Sequence, residues 1–424
     1  MASTGKIVEV MFENALETYE TQDMLLDKVD FVQPDPKNMQ NAGNVLWRSV
    51  EQQAPTISGW TVTGSEQDII EQTYPSILGT PENDFVQQRA DDLRDTQFWA
   101  KRGIASGRKQ ASTLNRAIAD AMAIQGSMFY RSNATSGYNF IGEAQTLMNE
   151  RQGKMTQRYF LLNDRDNLTF ASDLAGRQTL QGRPEETWKK GQIGQNVAEF
   201  DIYTGSFLPN LVGGADPATT VTGNQSFAPE GGTVNTATGV VTNVDYRSAT
   251  IPVAASAGYN VGDKVTFANG GTTVKALGID DKTDTDVAMT FTIVAKPDGT
   301  SITVYPKPIA LDDPALTATE KAYANINTRI LNLATVNRVN TDASNKTNLF
   351  WDKDAIEVIG GTIPANLFKE FDGMKVINST MKNGQTMYMV YDGNIETMNF
   401  RFRLFTWYGI TVRDPSRVGV AVTF

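Results

Sequence analysis

Between about Thr219 and Ile279 the chain is dominated by Gly, Thr, Val, Ala and Asn with very few charges, while the segments on either side mix helical and strand patterns. Strand-like patches stand at Ala249–Ala254 and Lys264–Phe267. The clearest hairpin follows, with 288–294 and 301–305 flanking Lys296-Pro-Asp-Gly-Thr300. There Pro presets a turn and Gly supplies a positive φ. Residues 219–346 therefore read as a β-barrel-like module. Because both flanks look α/β, the module reads as an insertion, and tolerated insertions enter surface loops whose ends lie close together. A length of 424 residues leaves room for about two to four domains.

The N-terminal segment reads as an amphipathic helix over residues 6–20. Val8, Met11, Phe12, Ala15, Leu16 and Tyr19 recur at spacings of three and four. Its other side is acidic, with Glu9, Glu13, Glu17 and Glu20 on one stripe. From Met1 to Asp35 there are eight acids and two lysines, so the local balance is 2 − 8 = −6. Like charges at this spacing cost ~0.2 to 0.5 kcal/mol per pair, so the stripe invites a cationic partner. Pro34-Asp-Pro36 then breaks the helix. Residues 45–80 show neither a period of 2 nor one of 3.6, which suggests a projecting loop or hairpin packed on another molecule. A long helix is expected after Asp84 and on to about Arg131, with Ile104, Ala111, Leu114, Ile118, Met122 and Met128 on one face. Gly103 and Gly107 weaken its first half and favour bending there. Residues 142–211 read as mixed α/β, with helices at 145–151 and 167–174 and a strand at 159–162. The alternating run 400–408 reads as a buried strand.

Function is bounded by two absences: the sequence has no Cys and no His. No Ser-His-Asp or Cys-His nucleophile, no imidazole proton shuttle and no Cys/His zinc site can be assembled from it. Disulfides are excluded as well, so durability must come from packing or assembly. The formal charge is 38 − 48 = −10, with no Lys/Arg-rich run, which argues against tight nucleic-acid binding. No secretion signal or membrane-spanning stretch is indicated, so Asn133-Ala-Thr135 carries no glycosylation meaning. Asp280–Asp286 has the look of a calcium loop but lacks the glycine at position six and the glutamate at twelve, and reads as a solvated acidic turn. Glu185-Glu186 and Asp312-Asp313 are adjacent pairs whose side chains on a strand point to opposite faces, so they do not form a glycosidase couple. The basic pairs Lys101-Arg102, Arg108-Lys109 and Lys189-Lys190 read as solvated faces or ion-pair partners. No nucleotide-binding glycine motif is present. Neither a cofactor, a metal nor a catalytic residue is expected.

Several blocks carry a family likeness: 50–56 with Gly59-Trp60, Pro81–Phe85 with Arg89–Asp95, Gln225-Ser-Phe227, Pro306–Asp313, Ala322–Thr328 and Ile363–Asn366. Together they closely resemble the coat proteins of the Lederbergvirus group of short-tailed phages, in order and nearly end to end. The resemblance implies an α+β chain with the Hong Kong ninety-seven capsid fold. Its parts would be an N-terminal arm (1–40), an extended loop region (41–80), a spine-helix region (81–132), a peripheral and axial core (133–218 and 347–424) and an inserted β-barrel (219–346). It also implies a subunit of pentons and hexons that assembles with a scaffolding protein and a portal protein into an icosahedral procapsid in the host cytoplasm. That procapsid expands around double-stranded DNA without sequence-specific contact. An encapsulin-like cage subunit is the alternative, and a carbohydrate-active tail protein is disfavoured by the lack of repeats. Residues 50–80 contain no Lys, so the archetype's isopeptide cross-link is not expected. The acidic stripe, Glu9, Glu13, Glu17 and Glu20, is the candidate site for scaffold. Where the family places an inter-capsomer loop, 230–247, only Asp245 and Arg247 carry charge beyond Glu230 itself.

Overall fold

The computed structural model describes residues 4–56, 59–60, 63, 66, 69–89, 95–132, 137–151, 157–177, 194–215, 218–229, 233–234, 238, 241–341, 343–364, 374–394 and 396–423. They form a mixed α+β chain in two compact units. The first comprises Met1–Leu46, Ser76–Ile118 and Ile356–Thr411, and the second Trp47–Pro75, Ala119–Ala355 and Val412–Phe424.

In the first unit the amphipathic pattern near the N-terminus becomes helix α1, Thr4–Gln22, followed by the short α2, Pro36–Asn41. Ile7, Val8, Met11, Phe12, Ala15 and Tyr19 are all buried, as the period-3.6 stripe requires. They pack on the long helix α3, Thr96–Gln125. Gly103 and Gly107 face α1 so closely that an added Cβ would lie 2.3 Å from the carbonyl oxygens of Met11 and Ala15. The two glycines therefore let helix backbones touch, a packing role the sequence pattern did not indicate. Asn115 ties off α1: its Oδ1 accepts from Met24 N and Leu25 N, and its Nδ2 donates to Gln22 O at 3.2 Å.

The long helix is shorter at both ends than its pattern predicts. Glu82–Arg89 is a strand, paired antiparallel with Asn399–Thr406 in a four-stranded sheet that continues through Thr386–Asn394 to Lys375–Thr380. Asp84, Val86 and Gln88 are half-buried while Phe85, Gln87 and Arg89 are exposed, a period of 2 hidden in a polar sequence. The buried strand predicted at 400–408 is present: Phe402 and Leu404 are buried, Arg401 and Arg403 exposed. Trp99 and Gln110 of α3 hold that inner face, Trp99 by a tilted ring contact at 5.2 Å with Phe402 and Gln110 by a 3.0 Å bond to Leu404 O.

In the second unit, Met128–Ser132 is a strand and not the end of α3, because Gly126 stops the helix and Gly419–Thr423 supplies a parallel partner. The sheet runs Met128–Ser132, Val418–Thr423, Asn345–Asp352, Arg158–Leu162, Phe200–Thr204, Gly194–Val197. Helices α4, Gly137–Glu150, and α5, Asp164–Arg177, cover it, burying Phe140, Met148, Phe160, Phe170, Phe200 and Phe350 in one cluster.

The Gly/Thr-rich segment forms a second sheet, ordered Thr219–Thr220, Thr335–Arg338, Lys264–Asn269, Phe291–Ala295, Ser301–Tyr305, Ala249–Pro252. Its first and last strands meet, since Val221 bridges Val253 and Thr222 N donates to Pro252 O at 2.9 Å, so the sheet closes into a barrel. Ile251, Val265, Phe267, Phe291, Ile293, Ile302 and Val304 fill it. The hairpin expected at 288–305 is narrower: Ala288 belongs to the preceding strand, Asp284–Ala288. A capping box at Thr317 and Glu320 starts the one-turn helix α6, Ala318–Lys321.

Candidate assembly surface on the N-terminal helix

The burial of one stripe of α1 decides where the other points. Glu9, Glu13 and Glu17 are exposed on the side away from α3, and Glu20 is half-buried. The helix cannot roll to hide them. Tyr19 O–H donates to Gln385 Oε1 at 2.7 Å in the core, the glycine contacts seat the middle of the helix and the Asn115 clamp fixes its C-terminal end. Glu20 accepts from Lys382 N at 3.1 Å, with Lys382 Nζ at 3.7 Å from its other oxygen. Among the described residues no cation stands within ion-pair distance of Glu9, Glu13 or Glu17. The structure thus leaves three of the four stripe carboxylates outward and engages the fourth inside its own chain. Asp23, just beyond the helix, is held above the usual carboxylate range by burial, against the donors Leu26 N and Asn383.

The base of the expected projecting loop or hairpin has partners in its own chain. Val50 N donates to Gln72 O at 3.0 Å, and Tyr323 O–H, donating to Ile70 O at 2.9 Å, also accepts from Gln53 N at 3.2 Å. Trp60 and Ile69, farther along, are exposed. The Asp245 and Arg247 pair is likewise internal. Arg247 Nε and Nη2 each donate to one Asp245 oxygen at 2.9 Å, and Nη1 donates to Val412 O at 2.5 Å. The guanidinium lies over the rings of Tyr305 and Tyr74. Much of 230–240 lies outside the described residues, as do Asn133-Ala-Thr135, Glu185-Glu186, Lys189-Lys190, residues 90–94 and residues 365–366 of the family blocks.

The acidic turn resolves into local hydrogen bonding. Asp281 accepts from Thr283 N and Oγ1, Asp284 from Asp286 N and Asn327, and Asp286 pairs with Lys275. Asp312 accepts from Arg329 N while buried Asp313 accepts from Ala315 N, so these two carboxylates serve different turns. Arg102, of the basic pair 101–102, bonds Asp84 at 2.5 and 2.7 Å. Among the described residues no group of three or more Asp or Glu side chains is placed to hold a metal, and no helix is long and apolar enough to cross a membrane. The side chains that sequence reading overlooked are buried polar ones, chiefly Lys264, Asn115 and Asp352. Each looks ordinary in its own segment, and its partners lie scores to hundreds of residues away.

Residues 1–423 match the family described as P22 coat protein, gene protein 5. The chain belongs to this coat-protein family. Among solved structures, it is similar to one from Mycobacterium phage Che8 at 10% identity, covering 94% of this chain and 90% of that one with a TM-score of 0.43. It is also similar to the capsid of cyanophage P-SCSP1u, at 10% identity, 95% and 88% coverage and a TM-score of 0.44. A third likeness, to the CUS-3 coat protein I-domain, has 26% identity over 30% of this chain and all of that one, with a TM-score of 0.23.

Proposed function

We propose that this coat protein is the major capsid subunit of a short-tailed DNA phage, with a Hong Kong ninety-seven-type fold, a structural protein and not an enzyme. It assembles in the bacterial cytoplasm, with a scaffolding protein and a portal protein, into an icosahedral procapsid of pentons and hexons. The procapsid expands as double-stranded DNA is packaged. The single observation that carries this reading is a coat-protein family match spanning residues 1–423. The closed barrel over 219–338 supports its assignment as the inserted domain, and α3 as the spine helix. With no Cys in the chain and no Lys in 50–80, the shell is held by noncovalent contacts repeated by symmetry. Each contributes ~25 cal/mol per Å² of apolar area before association costs, which keeps individual contacts weak enough for misplaced subunits to leave. The second reading, an encapsulin-like cage subunit, is disfavoured by the coat-protein family match over residues 1–423. Co-expression with the phage's scaffolding protein and sedimentation of the lysate tests the proposal: fast-sedimenting shells are expected, and coat protein found only at the top of the gradient contradicts it.

The scaffold contact belongs to the outward acids of α1. Glu9, Glu13 and Glu17 offer a row of exposed carboxylates at one-turn spacing, the complement of a basic helix or strand, while Glu20 contributes less because Lys382 already engages it. Such a contact weakens with salt as the Debye length shrinks. The double variant E13K/E17K is expected to incorporate scaffold roughly tenfold less well at low ionic strength. Incorporation equal to wild type, with the same salt dependence, rules the stripe out.

A further inference from the structure

The C-terminal end of α3 is finished by residues more than a hundred positions away. The helix has no basic residue in its last turn. It breaks at Gly126, where a Cβ would meet Met122 O at 2.7 Å and Val418 Cγ1 at 2.9 Å. Gly126 N donates back to Met122 O at 2.9 Å, and the carbonyls that follow have no partner within the helix, as at any helix end. Lys264 meets them. Its Nζ donates to Ala123 O at 2.8 Å, Gly126 O at 2.5 Å and more weakly Ile124 O at 3.4 Å. Thr292 Oγ1 accepts from Lys264 Nζ at 3.0 Å and donates to Ile124 O at 2.7 Å.

Lys264 and Thr292 are direct cross-strand partners on neighbouring barrel strands, so one rung of the barrel presents both groups. Val265 and Phe267 turn into the barrel core, and alternation sends Lys264 outward to the helix. Its side chain has no solvent exposure. A buried ammonium is costly unless it is fully hydrogen-bonded, and barrel packing alone would be served as well by an apolar side chain. The negative end of the helix dipole is the environment that compensates it.

We propose that Lys264 is the positioning residue that fastens the inserted barrel to the long helix by capping it from another part of the chain, so that the last turn of α3 is ordered only while the Lys264 and Thr292 rung is formed. Burial draws the ammonium down to about 7, with Asp263 beside it opposing, so the cap is best measured at pH 6, where the charged form with three donors prevails. Hydrogen exchange of the full-length soluble chain reads it directly. In K264M the amides of Ala123–Gly126 are expected to exchange about ten- to a hundred-fold faster, while those of Phe291–Ala295 and Thr335–Arg338 keep their protection. If K264M fails to fold, T292V should show the same local loss in weaker form, and T292S, which retains the hydroxyl, should match wild type. Unchanged exchange at Ala123–Gly126 overturns the proposal. So does equal acceleration of helix and barrel, which would mean that Lys264 only stabilises the barrel.

Discussion

Asp352 has no exposure to solvent, and among the described residues neither of its oxygens accepts a hydrogen bond. Arg158 Nε stands 3.5 Å and Arg417 Nη1 3.9 Å away, near enough to attract and too far to bond. Desolvation therefore prevails over the two arginines and lifts the carboxyl to about 6. With the folded value above the unfolded one of about 3.9, the folded state binds the proton more tightly. That stabilisation is complete below the unfolded value and is lost as pH rises through about 6. Relative to D352N, wild type should gain about 2 kcal/mol in urea unfolding between pH 7 and pH 4.5. D352N leaves neither arginine stranded, because Arg158 keeps Glu199 and Arg417 keeps Asp414, both at 2.9 Å. Parallel pH profiles for the two proteins refute the assignment. Nothing in the local sequence marks Asp352, Lys264 or Asn115, since each draws its meaning from a partner that only the tertiary fold brings near.

At the scale of elements, strongly periodic segments were legible and pairings were not. The stripe from Val8 to Tyr19 predicts α1 to within two residues at each end, and the Pro-Asp-Gly turn predicts the barrel hairpin. Glu82–Arg89 escaped because its alternation is between half-buried and exposed, and the strand that makes it a strand lies some three hundred residues onward. The glycines of α3 were read as weak points for the same reason. In an isolated helix Gly→Ala gains about 1 kcal/mol. In G107A the new methyl would meet the Ala15 carbonyl, a backbone atom that yields only if α1 moves. Overpacking of this kind costs roughly 1–3 kcal/mol, so G107A is expected to lower the urea midpoint. A raised midpoint would show that α1 gives way freely.

For the whole molecule, composition was the most informative signal. A chain without Cys or His can assemble no Ser-His-Asp or Cys-His nucleophile and no Cys/His zinc site, and its Gly/Thr-rich stretch coincides with a closed barrel. Asp280–Asp286 and Asp312-Asp313 resolve into turns, whereas the acidic stripe near the N-terminus places Glu9, Glu13 and Glu17 outward on a firmly seated helix. Which surfaces meet between copies was not legible, because residues that pack on a neighbour have no partner pattern within one chain. The central claim is that copies of this subunit close into a container through noncovalent faces. Electron microscopy of the purified protein, alone and with the proposed scaffolding protein, across a range of concentrations tests it most directly. The account predicts isometric shells of defined diameter that dissociate into monomers in denaturant without reductant, and monomers that never form curved particles at any concentration would contradict it.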